Sequence, residues 1–269
     1  MLKLVEASVR PQAARSIEFV PEPFDSEVLG LRIGRIASAH ASGTADYQDL
    51  FTGVAISALA DGYQQVLRRV GLTSMSEVWA LERTGFELMD VGVTFARALA
   101  EPIAMPVHEH LTVRASTDDD LEAITEAMVA IPWQSRYEAD PAYRADRVRE
   151  LRRRWLWNSH RGRADVVLIG EMDGAPAGYV TCRLDRADGS GEIELVGTLP
   201  RFRGRGVAGA TLASAIAWFS TRARVVTVRT QATNTAAATL YERAGFTLRN
   251  TDLTYRLTLT PAALQRDCS

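Results

Sequence analysis

The ten residues PRFRGRGVAG, Pro200 to Gly209, constrain this chain more than any other stretch. Three glycines stand directly before the apolar run VAGATLASAIAWF, which reads as a loop feeding a helix that starts at Val207. Gly204, Gly206 and Gly209 satisfy G-x-G-x-x-G, the pattern of a dinucleotide-binding turn. Three features oppose that reading. The segments before the loop form an antiparallel hairpin series rather than a strand–helix–strand unit. The next strand, VVTVRTQAT, ends on Thr230 and Gln231 where an acidic residue would be needed. Arg201, Arg203 and Arg205 suit phosphate recognition better than a tight glycine turn does. What the residues do describe is an anion cradle. Small residues let successive backbone N–H groups face one concave point, and the helix adds its positive N-terminal end. Arginines at the rim supply charge-assisted contacts, so a pyrophosphate fits.

The rest of the chain reads as two periodic regions. AEPIAMPVHE, with Pro102 and Pro106, separates them, which places a domain boundary between residues 104 and 105. Before it come a turn and strand in FDSEVLGLRIGRI, one long amphipathic helix from Tyr47 to Gly71, a short helix in SEVWALERTG and a strand in FELMDVGVTFARAL. After it, HLTVRAS is a strand, and Thr117 with Asp120 opens a helix through DDDLEAITEAMVA. A second helix carries Val148, Leu151 and Trp155 on its apolar stripe, which leaves Arg152, Arg153 and Arg154 to a solvated face. A hairpin turning at Asp173-Gly174 leads through GEIELVGTL to the loop, and VVTVRT, NTAAATLYERA and FTLRNTDLTYRLTL complete a strand, helix and strand. Net charge is −2, so no global basic field draws the chain to nucleic acid or anionic lipid. Cys182 and Cys268 build no disulfide framework and no metal spacing. The N-terminus lacks the apolar run of a signal peptide and no helix suits a bilayer, which predicts a cytoplasmic protein. The four histidines, His40, His108, His110 and His160, form no triad, and His160 reads as a surface residue at a helix end.

In the frame Arg203-x-x-Gly206-x-Ala208 the loop resembles the signature of the GNAT family of acyl-CoA N-acyltransferases, R/Q-x-x-G-x-G/A. Leu111 to Leu259 supply that family's elements in order, including Pro200-x-x-Arg203-Gly204 and a later helix with Asn234 and Tyr241. The resemblance implies an α/β (α+β type) GNAT fold, a mixed central sheet flanked by helices, with acetyl-CoA as co-substrate and no metal. It also implies that Val196, Gly197 and Thr198 pair with the pantetheine arm in a gap between diverging strands. Arg203, Gly204, Arg205, Gly206, Val207 and Ala208 would hold the pyrophosphate, and Asn234 would bond the coenzyme or cap its helix. Tyr241 would be the general acid for the departing thiolate. Glu192 and Glu194 alternate with Ile193 and Leu195, which makes Glu194 a base acting through water or a solvated carboxylate. Ser135-Arg136-Tyr137, Asp140-Pro141, Trp155 and Asn158-Ser159 resemble a segment of dTDP-fucosamine acetyltransferases. That likeness implies a nucleotide-linked amino sugar as acceptor, with Arg136, Tyr137 and Trp155 on the acceptor side. Acetylation of an antibiotic, polyamine or free amino sugar, or acyl-CoA sensing without turnover, are the alternatives, and a homodimer is left open.

ERAGFTLRNTDLTY, Glu242 to Tyr255, has a weaker copy 160 residues earlier in ERTGFELMDVGVTF, Glu82 to Phe95. Leu81 stands where Tyr241 stands, and no phosphate loop precedes the copy. Residues 1–104 therefore read as a degenerate, partial GNAT-like domain and residues 105–269 as the catalytic one. The alternative is coincidence between two glycine caps, Gly85 and Gly245. On the two-domain reading, a fragment from about residue 108 onward binds acetyl-CoA alone.

Overall fold

The computed structural model describes residues 15–100, 110–129 and 135–260. The expected boundary at 104/105, His108 and Cys268 lie outside the described residues. Contacts divide the chain into two compact units, Met1–Met89 with Leu253–Ser269, and Asp90–Asp252. The cuts fall inside two long strands, β4 (Glu87–Ala98) and β10 (Thr247–Thr258).

The first unit contains β1 (Ser16–Pro21), α1 (Pro23–Leu29), β2 (Ile33–His40), α2 (Thr44–Ala60), β3 (Gln65–Gly71) and α3 (Met75–Arg83). Its strands run in the order β1-β2-β3-β10. Ile33, Ile36, Phe51, Val66 and Leu81 are fully or almost fully buried in its core. The long helix read from Tyr47 to Gly71 is in fact α2 followed by β3. Asp61 and Gly62 break it: Gly62 takes φ 80° and its N–H bonds the Leu59 carbonyl, closing the helix as glycine readily does. β1 and α1 carry no strong periodic signal and were not anticipated.

The second unit contains β5 (Leu111–Ala115), α4 (Asp118–Val129), α5 (Arg136–Ala139), α6 (Ala145–Asn158), β6 (Val166–Met172), β7 (Ala175–Asp185), β8 (Ser190–Thr198), α7 (Val207–Ser220), β9 (Val225–Gln231) and α8 (Thr235–Arg243). Its order is β4-β9-β8-β7-β6-β5, with β8 and β9 parallel and each of the other neighbouring pairs antiparallel. Alternate residues of β6 and β7 face opposite layers. Val167, Ile169 and Tyr179 pack with Leu121 and Leu156 of α4 and α6. Leu168, Val180 and Cys182 pack with Leu212, Ile216 and Phe219 of α7. The expected Thr117–Asp120 cap is present: Asp120 accepts from the Thr117 backbone at 2.7 Å and its hydroxyl at 2.9 Å.

The sequence echo is an echo of structure. β3, α3 and β4 recur as β9, α8 and β10 at the same 160-residue spacing, Gln65 matching Val225, Met75 matching Thr235 and Glu87 matching Thr247. Each unit also has one parallel pair, β2 with β3 and β8 with β9. The terminal strands are exchanged. β4 follows α3 of the first unit, yet it pairs with β9 inside the second from Gly92↔Gln231 to Ala98↔Val225. β10 follows α8 of the second unit and ends beside β3 in the first, where Leu259 N–H bonds the Gln64 carbonyl at 2.9 Å. A cut near residue 108 would therefore strip β4 from the second unit. We expect the fragment from residue 108 onward to lose the cooperative unfolding transition of the full chain, and with it acetyl-CoA binding. Circular dichroism melting and calorimetric titration check this, and a stable, binding fragment would contradict it.

The parallel pair of the first unit separates after Ile36↔Arg68. The Arg68 guanidinium closes the opening: it donates to the Ile36 and Ala37 carbonyls at 3.2 and 3.0 Å and to Glu77 at 2.7 Å. Both charged side chains are buried, and removing one leaves the other uncompensated. Glu77→Ala should therefore cost about 3–5 kcal/mol in urea unfolding, and adding Arg68→Val should recover part of that loss.

Candidate active site

Strands β8 and β9 separate after Ile193↔Val228, the position matching the first unit's opening. No arginine fills this one, because Val228 and Ala237 stand where Arg68 and Glu77 stand. From Glu194 to Thr198 the β9-facing edge of β8 is unpaired with β9. An irregularity in β8 causes the departure. Its register against β7 moves from Val180↔Val196 to Cys182↔Ile193, so three steps on β8 answer two on β7. The alternation expected for Glu192 to Leu195 is therefore broken: Ile193 packs in the α7 layer and Leu195 against Tyr179 in the α4/α6 layer.

Tyr179 and Gly197 face each other in register, and a Cβ on Gly197 would stand 2.2 Å from the Tyr179 ring. Three buried polar atoms on the strands beside the gap have no hydrogen-bond partner among the described residues: Tyr179 Oη, Glu194 Oε2 and Thr198 Oγ1. Buried polar atoms are normally paired, so this concentration marks where a ligand belongs.

The glycine loop continues directly from β8. Pro200–Phe202 makes one 3₁₀ turn, then Gly204 and Gly206 adopt φ 75° and 84°, a region that disfavours side chains. Gly206 is the N-cap of α7 and no side chain caps the helix. The Ala210 N–H bonds the Gly206 carbonyl, so the earlier N–H groups of α7 lack an acceptor within the helix. Arg201, Arg203 and Arg205 are exposed around this end, with Arg201 and Arg205 on the Phe202 ring and Arg205 also near Asp173. The residues present fit an acyl-CoA: an open strand edge for its pantetheine and uncapped amides for its pyrophosphate.

Tyr241 on α8 is buried between Phe95 and Phe246, at ring distances of 5.8 and 5.9 Å. Burial pushes its phenol up to about 12, so it is a proton donor at neutral pH. Its hydroxyl makes no hydrogen bond among the described residues. Asn234 caps α8, accepting from Ala237 N–H at 3.2 Å and donating to Thr230 at 3.1 Å. Glu194 is no freely solvated carboxylate. Oε1 lies 3.1 Å from both Arg163 and Arg183, while Oε2 is the unpaired atom noted above.

The α5–α6 face differs from its sequence reading. Arg152 is buried rather than solvated, and pairs with Glu138. Val148, Arg152 and Leu156 follow one another at i, i+4 and i+8, so Arg152 occupies the inward stripe. Its burial pulls the guanidinium down to about 10. Tyr137 is buried against Trp155 and Tyr143, ring distances 5.3 and 5.9 Å, with Arg136 over its face. Its ring is thus engaged by protein on these faces. His160, at the helix end as expected, is half-buried: it bridges Ser116 and Asp118, each at 2.8 Å, and stitches the end of α6 to the start of α4. No set of three His, Cys, Asp or Glu side chains suited to a metal occurs among the described residues. No helix among them is long and apolar enough to cross a membrane.

Comparisons with known proteins identify the fold. A GCN5-related N-acetyltransferase from Sphaerobacter thermophilus superposes with a TM-score of 0.64 at 20% identity, covering 92% of this chain and 78% of that one. A tandem GNAT protein from the clavulanic acid biosynthesis pathway gives 0.64 at 13% identity, with 86% and 77% covered. The fold is the GNAT fold, an α/β architecture with a mixed sheet flanked by helices, as the loop and its flanking elements had implied. Residues 125–246, within the second unit, match the family model described as Acetyltransferase (GNAT) family. A 139-residue stretch is 34% identical to the spore coat polysaccharide biosynthesis protein SpsD of Bacillus subtilis, covering 51% of this chain and 47% of that protein. Another of 89 residues is 34% identical to the mycothiol acetyltransferase of Streptomyces griseus, covering 33% and 29%. The chain thus spans about half or less of the curated relatives it matches.

The Tyr179–Gly197 contact sets a steric test. Gly197→Ala forces a methyl into the Tyr179 ring, and overpacking of this kind costs about 1–3 kcal/mol. Urea denaturation should show a lower midpoint with an unchanged slope.

Proposed function

We propose that the chain is an acetyl-CoA-dependent N-acetyltransferase acting on the primary amine of a nucleotide-linked amino sugar. The observation that carries the reading is the opening between β8 and β9 beyond Ile193↔Val228, which runs directly into the uncapped start of α7. Bound there, acetyl-CoA supplies an activated acetyl thioester. Val196, Gly197 and Thr198 pair with its pantetheine as an added strand would, and one of their N–H groups polarises the carbonyl oxygen. The segment Arg203 to Ala208 holds the pyrophosphate through main-chain amides and arginine charge, and Asn234 fixes the start of α8 beside it.

The amine nitrogen forms its bond to the acetyl carbon, and the carbon–sulfur bond breaks. Tyr241 gives its proton to the departing sulfur. Glu194, its Oε1 held by two arginines, accepts the amine proton through water at Oε2. Two observations support a sugar nucleotide. The relative SpsD is named for polysaccharide biosynthesis, and Arg136 and Arg163 bring positive charge to the α5–α6 side, where a diphosphate would be held. The first unit is the degenerate partner domain of this reading. Its strand opening is filled by Arg68, and Leu81 replaces the acid. The enzyme belongs in the cytoplasm.

A thiol-release assay of acetyl-CoA against dTDP-linked amino sugars tests the reading. Tyr241→Phe should lower kcat at least about a hundredfold and leave acetyl-CoA affinity within about twofold. With wild-type protein, kcat should show no loss of the acid until about pH 11, because the phenol loses its proton only near 12. Normal turnover by the variant would place the acid elsewhere.

A further inference from the structure

One buried group beside the opening has no role in this scheme. Tyr179 is completely buried on β7, and its hydroxyl has no partner among the described residues. Its position is closely set by Gly197: a Cβ there would lie 2.6 Å from Oη. The hydroxyl therefore stands over the middle of the β8 stretch that has left β9. Glycine at 197 is what makes room for it.

The local charge selects what it binds. Arg152 of α6 is buried and its charge acts on the Tyr179 phenol. Burial holds that phenol well above its ordinary pKa, so it keeps its proton and can donate. A fixed, protonated hydroxyl donor suits an oxygen gaining negative charge. Tyr241 and Tyr179 are both buried phenols of the second unit. One would serve the sulfur of a thioester and the other its oxygen.

Resting on the acetyl-transfer reading, we propose that Tyr179 Oη donates a hydrogen bond to the thioester carbonyl oxygen. It acts with a β8 main-chain N–H, so two donors hold the charge that develops there. Tyr179 keeps its proton throughout, and no bond to it forms or breaks. Coenzyme A, lacking the acetyl group, gains nothing from this hydroxyl.

Tyr179→Phe removes the oxygen and keeps the ring. Calorimetric titrations of the full chain with acetyl-CoA and with CoA should show acetyl-CoA affinity about five- to tenfold weaker and CoA affinity unchanged. The melting temperature should be equal or higher, because no protein partner is orphaned. An unchanged ratio of the two affinities overturns the proposal, as does a lowered melting temperature, which would mean a structural partner. If wild-type protein binds neither ligand, the acetyl-transfer reading itself fails and this assignment goes with it. If both bind and only the ratio is indifferent to the substitution, that reading stands and this one does not.

Discussion

The structure turns on the end of a short parallel strand pair. Once β8 leaves β9 beyond Ile193 and Val228, the main chain facing the gap needs hydrogen-bond partners that the sheet no longer supplies. The same difficulty arises after Ile36 and Arg68, and there a side chain answers it. A guanidinium reaches two carbonyls and is itself neutralised by Glu77. One chain thus holds two answers to a single backbone problem: a permanent internal donor in the first unit and an open edge in the second.

The exchange of terminal strands explains why a half without evident chemistry is retained. β4 forms the outer pairing of β9 and places Phe95 against Tyr241. The same strand position is filled in the first unit by β10, whose Tyr255 bonds Glu82 at 2.9 Å. Tyr241 owes part of its burial, and so its high proton affinity, to a strand encoded before residue 99. Deleting the earlier copy would alter the surroundings of Tyr241 without touching the glycine loop.

Local signals predicted what local physics controls. The loop, the start of α7 and the Asp173-Gly174 hairpin were legible because glycine conformations and helix starts are written in adjacent residues. The 47–71 segment was misread because its apolar residues satisfy helical spacing as well as strand spacing, although the repeat aligns Gln65–Gly71 with the plainly β-branched VVTVRTQ. Arg152 was assigned outward on its charge, against its own i, i+4 spacing from Val148 and Leu156. The β8 irregularity left no mark in sequence, so the alternation argument for Glu194 failed there. Tyr179 was missed because GYVTC reads as ordinary core, and only the missing partner of its hydroxyl distinguishes it. The domain boundary was sought in a proline-rich linker, whereas contacts divide within two strands.

Three matched positions separate the two halves: Arg68 against Val228, Glu77 against Ala237 and Leu81 against Tyr241. The first two decide whether the strand gap is filled. On the acetyl-transfer proposal, the third would decide whether a proton donor serves that gap. The three would then act together, because a phenol has nothing to protonate at a sealed gap, and an open gap with leucine has no acid. Leu81 and Tyr241 are both buried, so each scaffold accepts a large side chain at this helical position. On that proposal the fold need not change for one half to lose its chemistry. Exchange of a buried tyrosine for leucine, and of a valine for an arginine able to satisfy stranded carbonyls, would be enough.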